Sequence, residues 1–124
     1  MHAVLVVDVD GEVAKMLEDG FEPAHYEIHR AAGLEAARSM LATVLYSVVI
    51  VNTLFVRSEA EQWQLVRYVR SQSARTRVLF LRPLRAHASS FRDGFAGDAL
   101  LPRATDPATM MRVIEQLSTQ QRGA

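Results

Sequence analysis

The sequence predicts an α/β domain, a single doubly wound parallel sheet of five strands with helices on both faces. Three observations predict it. Short apolar runs alternate with longer amphipathic stretches five times along 124 residues. Each β–α unit takes up about 20 to 25 residues, the length of a strand, a crossover helix and two short connections. The runs themselves are apolar throughout rather than alternating, which only a sheet covered on both faces can bury.

The elements follow in order. Ala3–Val7 is a compact run stopped by Asp8 and reads as a doubly buried strand. Glu12–Leu17 predicts a short helix, ended by Asp19-Gly20 and Pro23. From His25 to Arg30 polar and apolar residues alternate, the pattern of a half-exposed or edge strand. Over Gly33–Leu41, the residues Leu34, Ala37 and Leu41 share one helical face. Val48–Val51 is a second doubly buried strand, ended by Asn52-Thr53. Ser58, with Glu61 three residues on, forms a capping box for a helix whose face is Trp63, Val66 and Val69. Arg77–Leu81 gives the fourth strand, stopped by Pro83. Ala86–Gly94 predicts a helix with Phe91 inward, ended by Gly94 or Gly97. Ala99–Leu101 is the last strand. Asp106 then caps a helix with Pro107 in its first position and a stripe of Met110, Val113, Ile114 and Leu117. The domain is expected over residues 1–119, with 120–124 a tail or the start of a linker.

Composition narrows the function classes. Hydrophobic residues are 49% and charged residues 23% of the chain, the proportions of an ordinary globular protein. Without cysteine there is no disulfide, thiolate nucleophile or Cys-ligated zinc. The longest apolar stretch, near Leu41–Val51, is interrupted by Thr43, Tyr46 and Ser47 and is too short to span a bilayer. Asp8 and Asp10 break any signal-peptide pattern, so a cytoplasmic location is expected. The net charge of zero conceals a split. Residues 1–62 carry 10 acidic and 4 basic groups, a balance of −6; residues 63–124 carry 4 acidic groups and 10 arginines, a balance of +6. That asymmetry fits an anionic partner, head-to-tail self-association, or simply a solvated surface rich in arginine.

In a doubly wound sheet, ligand chemistry gathers at the carboxyl ends of the strands. The residues there are Asp8, Asp10, Asn52, Arg82 and Arg103. Other patterns carry less. His25 and His29 are four apart on a strand, roughly 13 Å, too far to share one metal ion. His2 and His87 have no obvious partner, and Ser89-Ser90 has no neighbouring base. Neither a GxGxxG nor a P-loop pattern is present, so no cofactor is expected.

The segments VLVVDVD at 4–10, VVIVNTLF at 48–55, RVLFLRP at 77–83 and GDALLPRATDP at 97–107 resemble, in order and spacing, the receiver domains of bacterial two-component response regulators. The resemblance implies a flavodoxin-like (βα)5 fold with strand order 2-1-3-4-5. It also implies a chemistry: phosphoryl transfer from a kinase phosphohistidine to an Asp at the end of the third strand, assisted by a divalent metal on an acidic pair after the first strand.

Most of that apparatus is replaced here. Asn52 stands at the phosphoacceptor position, and its amide is not a nucleophile. The acidic pair maps to Asp8 and Val9, with Asp10 two residues along. Arg82 takes the place of the hydroxyl residue after the fourth strand, Arg103 that of the lysine after the fifth, and Ala104 that of the following proline. Leu100 takes the place of the fifth-strand aromatic. Thr53-Leu54-Phe55-Val56 lacks the usual proline. The resemblance therefore implies a degenerate receiver, neither an enzyme nor a phosphoacceptor. Its pocket is expected to be closed by an ion pair of Asp8 or Asp10 with Arg82 or Arg103, or to bind a small anion through Arg82 and Arg103. Arg85, Arg92, Leu100 and Arg112 fall on the fourth-helix, fifth-strand and last-helix surface that the family uses for dimers and partners. A protein partner or homodimer is expected there. Nucleic acid is the lesser alternative, as the arginine-rich half offers no helix-turn-helix or stacking platform.

Overall fold

The apolar runs form a single parallel sheet of order β2-β1-β3-β4-β5. The computed structural model describes residues 1–8, 11–52, 59–82, 98–102 and 105–119. Its strands are β1 (His2–Val7), β2 (Tyr26–Ala31), β3 (Val48–Asn52), β4 (Arg77–Arg82) and β5 (Ala99–Pro102). Its described helices are α1 (Glu12–Gly20), α2 (Leu34–Leu41), α3 (Glu59–Gln72) and α4 (Pro107–Thr119). The helix expected over Ala86–Gly94, with Phe91, and the Ser58 cap lie outside the described residues.

Alternation along the central strands divides the core. Leu5, Val7, Val49, Val51, Val78 and Phe80 face α2 and α3. Val4, Val6, Val48, Ile50, Leu79 and Leu81 face α1 and α4. Both sets are apolar because helices cover both faces, which is why these runs show no period of two in the sequence. On the α4 side, Met110, Ile114 and Leu117 are buried, while Val113 is only half-buried at the margin of the stripe.

The helix ends follow local chemistry. At the start of α4, Asp106 Oδ2 accepts the amide of Thr109 at 3.0 Å, and the Thr109 hydroxyl donates to Oδ1 at 2.8 Å. These bonds, the hydroxyl's first, hold the Asp106 carboxyl below the usual aspartate range. α1 starts from Gly11, whose φ of 75° a side chain would strain. It runs through Gly20, past the Asp19-Gly20 stop expected from sequence, and a side chain at Gly20 would collide with Met111 of α4.

One expectation is corrected. Trp63 does not share the buried face of α3: it is 36% exposed, and Leu65 joins Val66 and Val69 in the core instead. His29 lies on the edge strand β2, as the alternation implied. It is half-buried, its Nδ1 2.7 Å from the hydroxyl of buried Tyr46 and its Nε2 2.7 Å from Glu27 Oε1. His2, without a partner in the sequence reading, bonds Ser47 Oγ through Nδ1 at 2.9 Å.

Candidate functional site

The parallel register brings the strand ends together. Val7 pairs with Val51, which places Asp8 and Asn52 side by side just beyond. Asn52 pairs with Leu81, so Arg82 follows at the end of β4, opposite Pro102. Asp8 and Asn52 are buried, 1% and 3% exposed, and Arg82 is half-buried. Asp10 and Arg103, the other two pocket residues expected from sequence, lie outside the described residues.

Asp8 is engaged in the fold. Its Oδ2 accepts the backbone amide of Val13 at 3.1 Å, one of the orphan N–H groups of the first turn of α1. Its main-chain oxygen accepts Nε–H of Arg30 at 3.0 Å. Among the described residues Asp8 and Arg82 form no ion pair. The remaining pairings expected for this pocket involve Asp10 or Arg103.

Arg30 is the residue the sequence reading missed. It ends the alternating segment of β2, and the strand order sets β2 beside β1, so its guanidinium reaches Asp8 and Gly11. A side chain on Gly11 would come within 3.1 Å of Arg30 Nε. Gly11 thus serves two purposes, a left-handed turn and room for a cation. The available signal was positional: an arginine at the carboxyl end of the strand next to the first.

A divalent cation asks for several hard oxygens and little positive charge nearby. The described donors do not meet this. One carboxylate is committed to an amide, its neighbour Asn52 carries an amide side chain, and two arginines border the site. Among the described residues no cluster of three or more His, Asp or Glu is able to hold a metal.

Of the residues expected from sequence to form an interaction surface, Leu100 is half-buried against the α2–α3 side of the core, and Arg112 is exposed on α4. Arg85 and Arg92 lie outside the described residues. No helix among the described residues is long and apolar enough to cross a membrane.

No family model matches the sequence, and no curated protein matches it. Solved structures do. A response regulator from Thermotoga maritima superposes with a TM-score of 0.81 at 15% identity, over 97% of this chain and 99% of the other. The chemotaxis response regulator CheY4 of Vibrio cholerae gives 0.75 at 20% identity, over 94% and 98%. The receiver domain of a Francisella response regulator gives 0.74 at 20%, over 95% and 97%. The fold is that of the response-regulator receiver domains.

Proposed function

We propose that this chain is a signalling module on the receiver fold that works without aspartyl phosphorylation, by binding a protein partner. The observation that carries the reading is Asn52, buried at the carboxyl end of β3, where the resemblance puts the phosphoacceptor. An amide there forms no acyl phosphate. The adjacent Asp8, bonded to Val13 and flanked by Arg30, favours one arrangement of the pocket over a metal-gated pair of states. Signal transfer then rests on surface recognition, through Arg85, Arg92, Leu100 and Arg112, by a protein or a second copy bearing carboxylates. The domain acts as a binding module rather than an enzyme, in the cytoplasm.

An amide-resolved NMR titration with Mg²⁺ and then beryllofluoride, which mimics an aspartyl phosphate, tests the pocket. Unmoved resonances at Asp8, Asn52 and Arg82 are expected; saturable shifts overturn the reading. Charge reversal at Arg85 and Arg112 tests the surface, with weakened partner capture and unchanged thermal unfolding as the expected result.

Arg30 and Arg82 at one end of the sheet favour a second reading, a small-anion sensor completed by Arg103. Thermal shift against phosphate and carboxylates separates the two, since a ligand of the folded state raises its apparent stability. A shift abolished by Arg82→Ala supports the sensor, and no shift at saturating anion removes it.

A further inference from the structure

The amino-terminal side of the sheet carries a second concave site that the pocket at the strand ends does not use. A groove of about 350 Å³ lies between the end of α1 and the edge strand β2. Its floor is aromatic: Phe21 and Tyr26 pack with ring centroids 4.2 Å apart. The Tyr26 hydroxyl is 3.1 Å from Ser118 Oγ of α4, which fixes the ring. Glu18 and Glu27 line the same groove. Glu18 forms no ion pair among the described residues, and Glu27 uses Oε1 on His29.

The charges at the end of α1 stand where the helix gains nothing from them. Glu18 and Asp19 occupy the last turn of α1, which holds no basic residue, against the negative end of the helix dipole. Glu22 follows directly. Among the described residues no ion pair joins these carboxylates to Lys15, one turn earlier on α1, or to the amino group of Met1. An aromatic floor with a carboxylate rim is guanidinium chemistry, a planar cation stacked on the ring and bonded through its edge. The chain already makes one such contact, with Arg38 Cζ 5.6 Å from the Tyr68 ring centroid.

The chain also supplies the complement. Of its 14 basic residues all but Lys15 are arginine, and the half after residue 62 holds ten of them. Arg67 on α3 and Arg75 in the turn before β4 are exposed. β4 is three strands from β2 in the sheet, roughly 14 Å of strand spacing, so these side chains stand apart from their own molecule's groove.

We propose that the groove formed by Phe21, Tyr26, Glu18 and Glu27 receives the Arg67–Arg75 surface of a second copy of this chain, in head-to-tail association. The contact is heterologous: each copy offers a groove on one side and arginines on the other, so growth does not stop at two. It is independent of the partner surface proposed above, which involves other residues.

Sedimentation velocity of the full chain across concentration, at low and high ionic strength, reads this out. At low salt the average mass rises with concentration without a plateau at the dimer; at high salt the chain is monomeric. Glu18→Arg with Glu27→Gln, and separately Arg67→Glu with Arg75→Glu, each raise the dissociation constant about tenfold or more. Mixed one to one, the two variants form a dimer and stop, because one keeps its arginines and the other its groove. Glu18→Arg alone, which removes no described contact, guards against misfolding: it loses association with an unchanged circular dichroism spectrum. A wild-type monomer at every concentration and salt overturns the proposal, as does a plateau at the dimer. Variants that associate like the wild type, or a mixture that stays monomeric, overturn it equally.

Discussion

The carboxylate of Asp8 accepts the backbone amide of Val13 at 3.1 Å, so the acidic residue just beyond β1 closes the first turn of α1. The side chain is 1% exposed, and removing it leaves a buried donor unpaired. Asp8→Ala is expected to lower stability by about 1–3 kcal/mol, and Asp8→Asn by less, because the amide oxygen still accepts. Urea unfolding of both variants decides it. Equal losses would mean that the charge of Asp8, not its bond to Val13, matters.

Asn52 stands beside Asp8, so an acidic side chain placed there by Asn52→Asp meets a carboxylate already buried. The introduced carboxylate would be buried next to a like charge, with no described metal cluster to balance it. Both effects raise its pKa in the folded state above the unfolded value. A raised folded pKa means full stability below the unfolded pKa and progressive loss as pH rises through the folded one. The variant should match the wild type near about pH 3 and lose about 2 kcal/mol or more by neutral pH. Denaturation at the two pH values checks this; a variant equally stable at both would show that the pocket tolerates a second carboxylate.

These residues also show what the sequence makes legible. The central strands were readable because burial on both faces leaves continuous Val, Leu and Ile, and α4 because Asp106-Pro107 opens a long apolar stripe. Trp63 was misplaced because a three-residue step walks off the buried arc. That arc is centred on Leu65, Val66 and Val69, and Trp63 lies roughly 100° from its centre. Asn52 and Arg82 were legible as strand ends, whereas Arg30 acquires its meaning only once the strand order puts β2 next to β1. The Glu27–His29–Tyr46 chain was invisible for the same reason: 17 residues separate His29 from Tyr46, and nothing local pairs them.

That chain makes its own prediction. The Tyr46 hydroxyl lies 2.7 Å from His29 Nδ1, and burial, then the charge of Glu27, pushes the phenol up. The folded pKa exceeds the unfolded value of about 10, so the contribution of Tyr46 is complete below pH 10 and is lost as pH rises beyond it. Tyr46→Phe should cost about 1 kcal/mol at neutral pH by stripping His29 of a partner. It should also flatten the alkaline limb of the stability curve. An unchanged limb above pH 10 would place the titrating group elsewhere.

At the opposite end of the sheet Asp98 ties β5 to β4. It exchanges two bonds with Val78, its amide donating to the Val78 carbonyl at 2.8 Å and its Oδ2 accepting the Val78 amide at 2.8 Å. Its Oδ1 faces Arg77 Nη1 at 3.5 Å and Arg70 Nη2 at 3.8 Å. The two arginines differ in burial: the Arg77 side chain is 9% exposed, that of Arg70 37%. Nε of Arg77 is already without a hydrogen-bond partner, so deleting Asp98 leaves a buried cation with little else to hold it. Asp98→Ala is expected to cost about 3 kcal/mol, and Arg70→Ala less than about 1 kcal/mol. Combining Asp98→Ala with Arg77→Met should recover part of the loss, because the apolar replacement removes the stranded charge. If the double variant is as unstable as the sum of the two single ones, Asp98 acts through its bonds to Val78 alone, and the arginines at that end contribute charge to the surface rather than stability to the sheet.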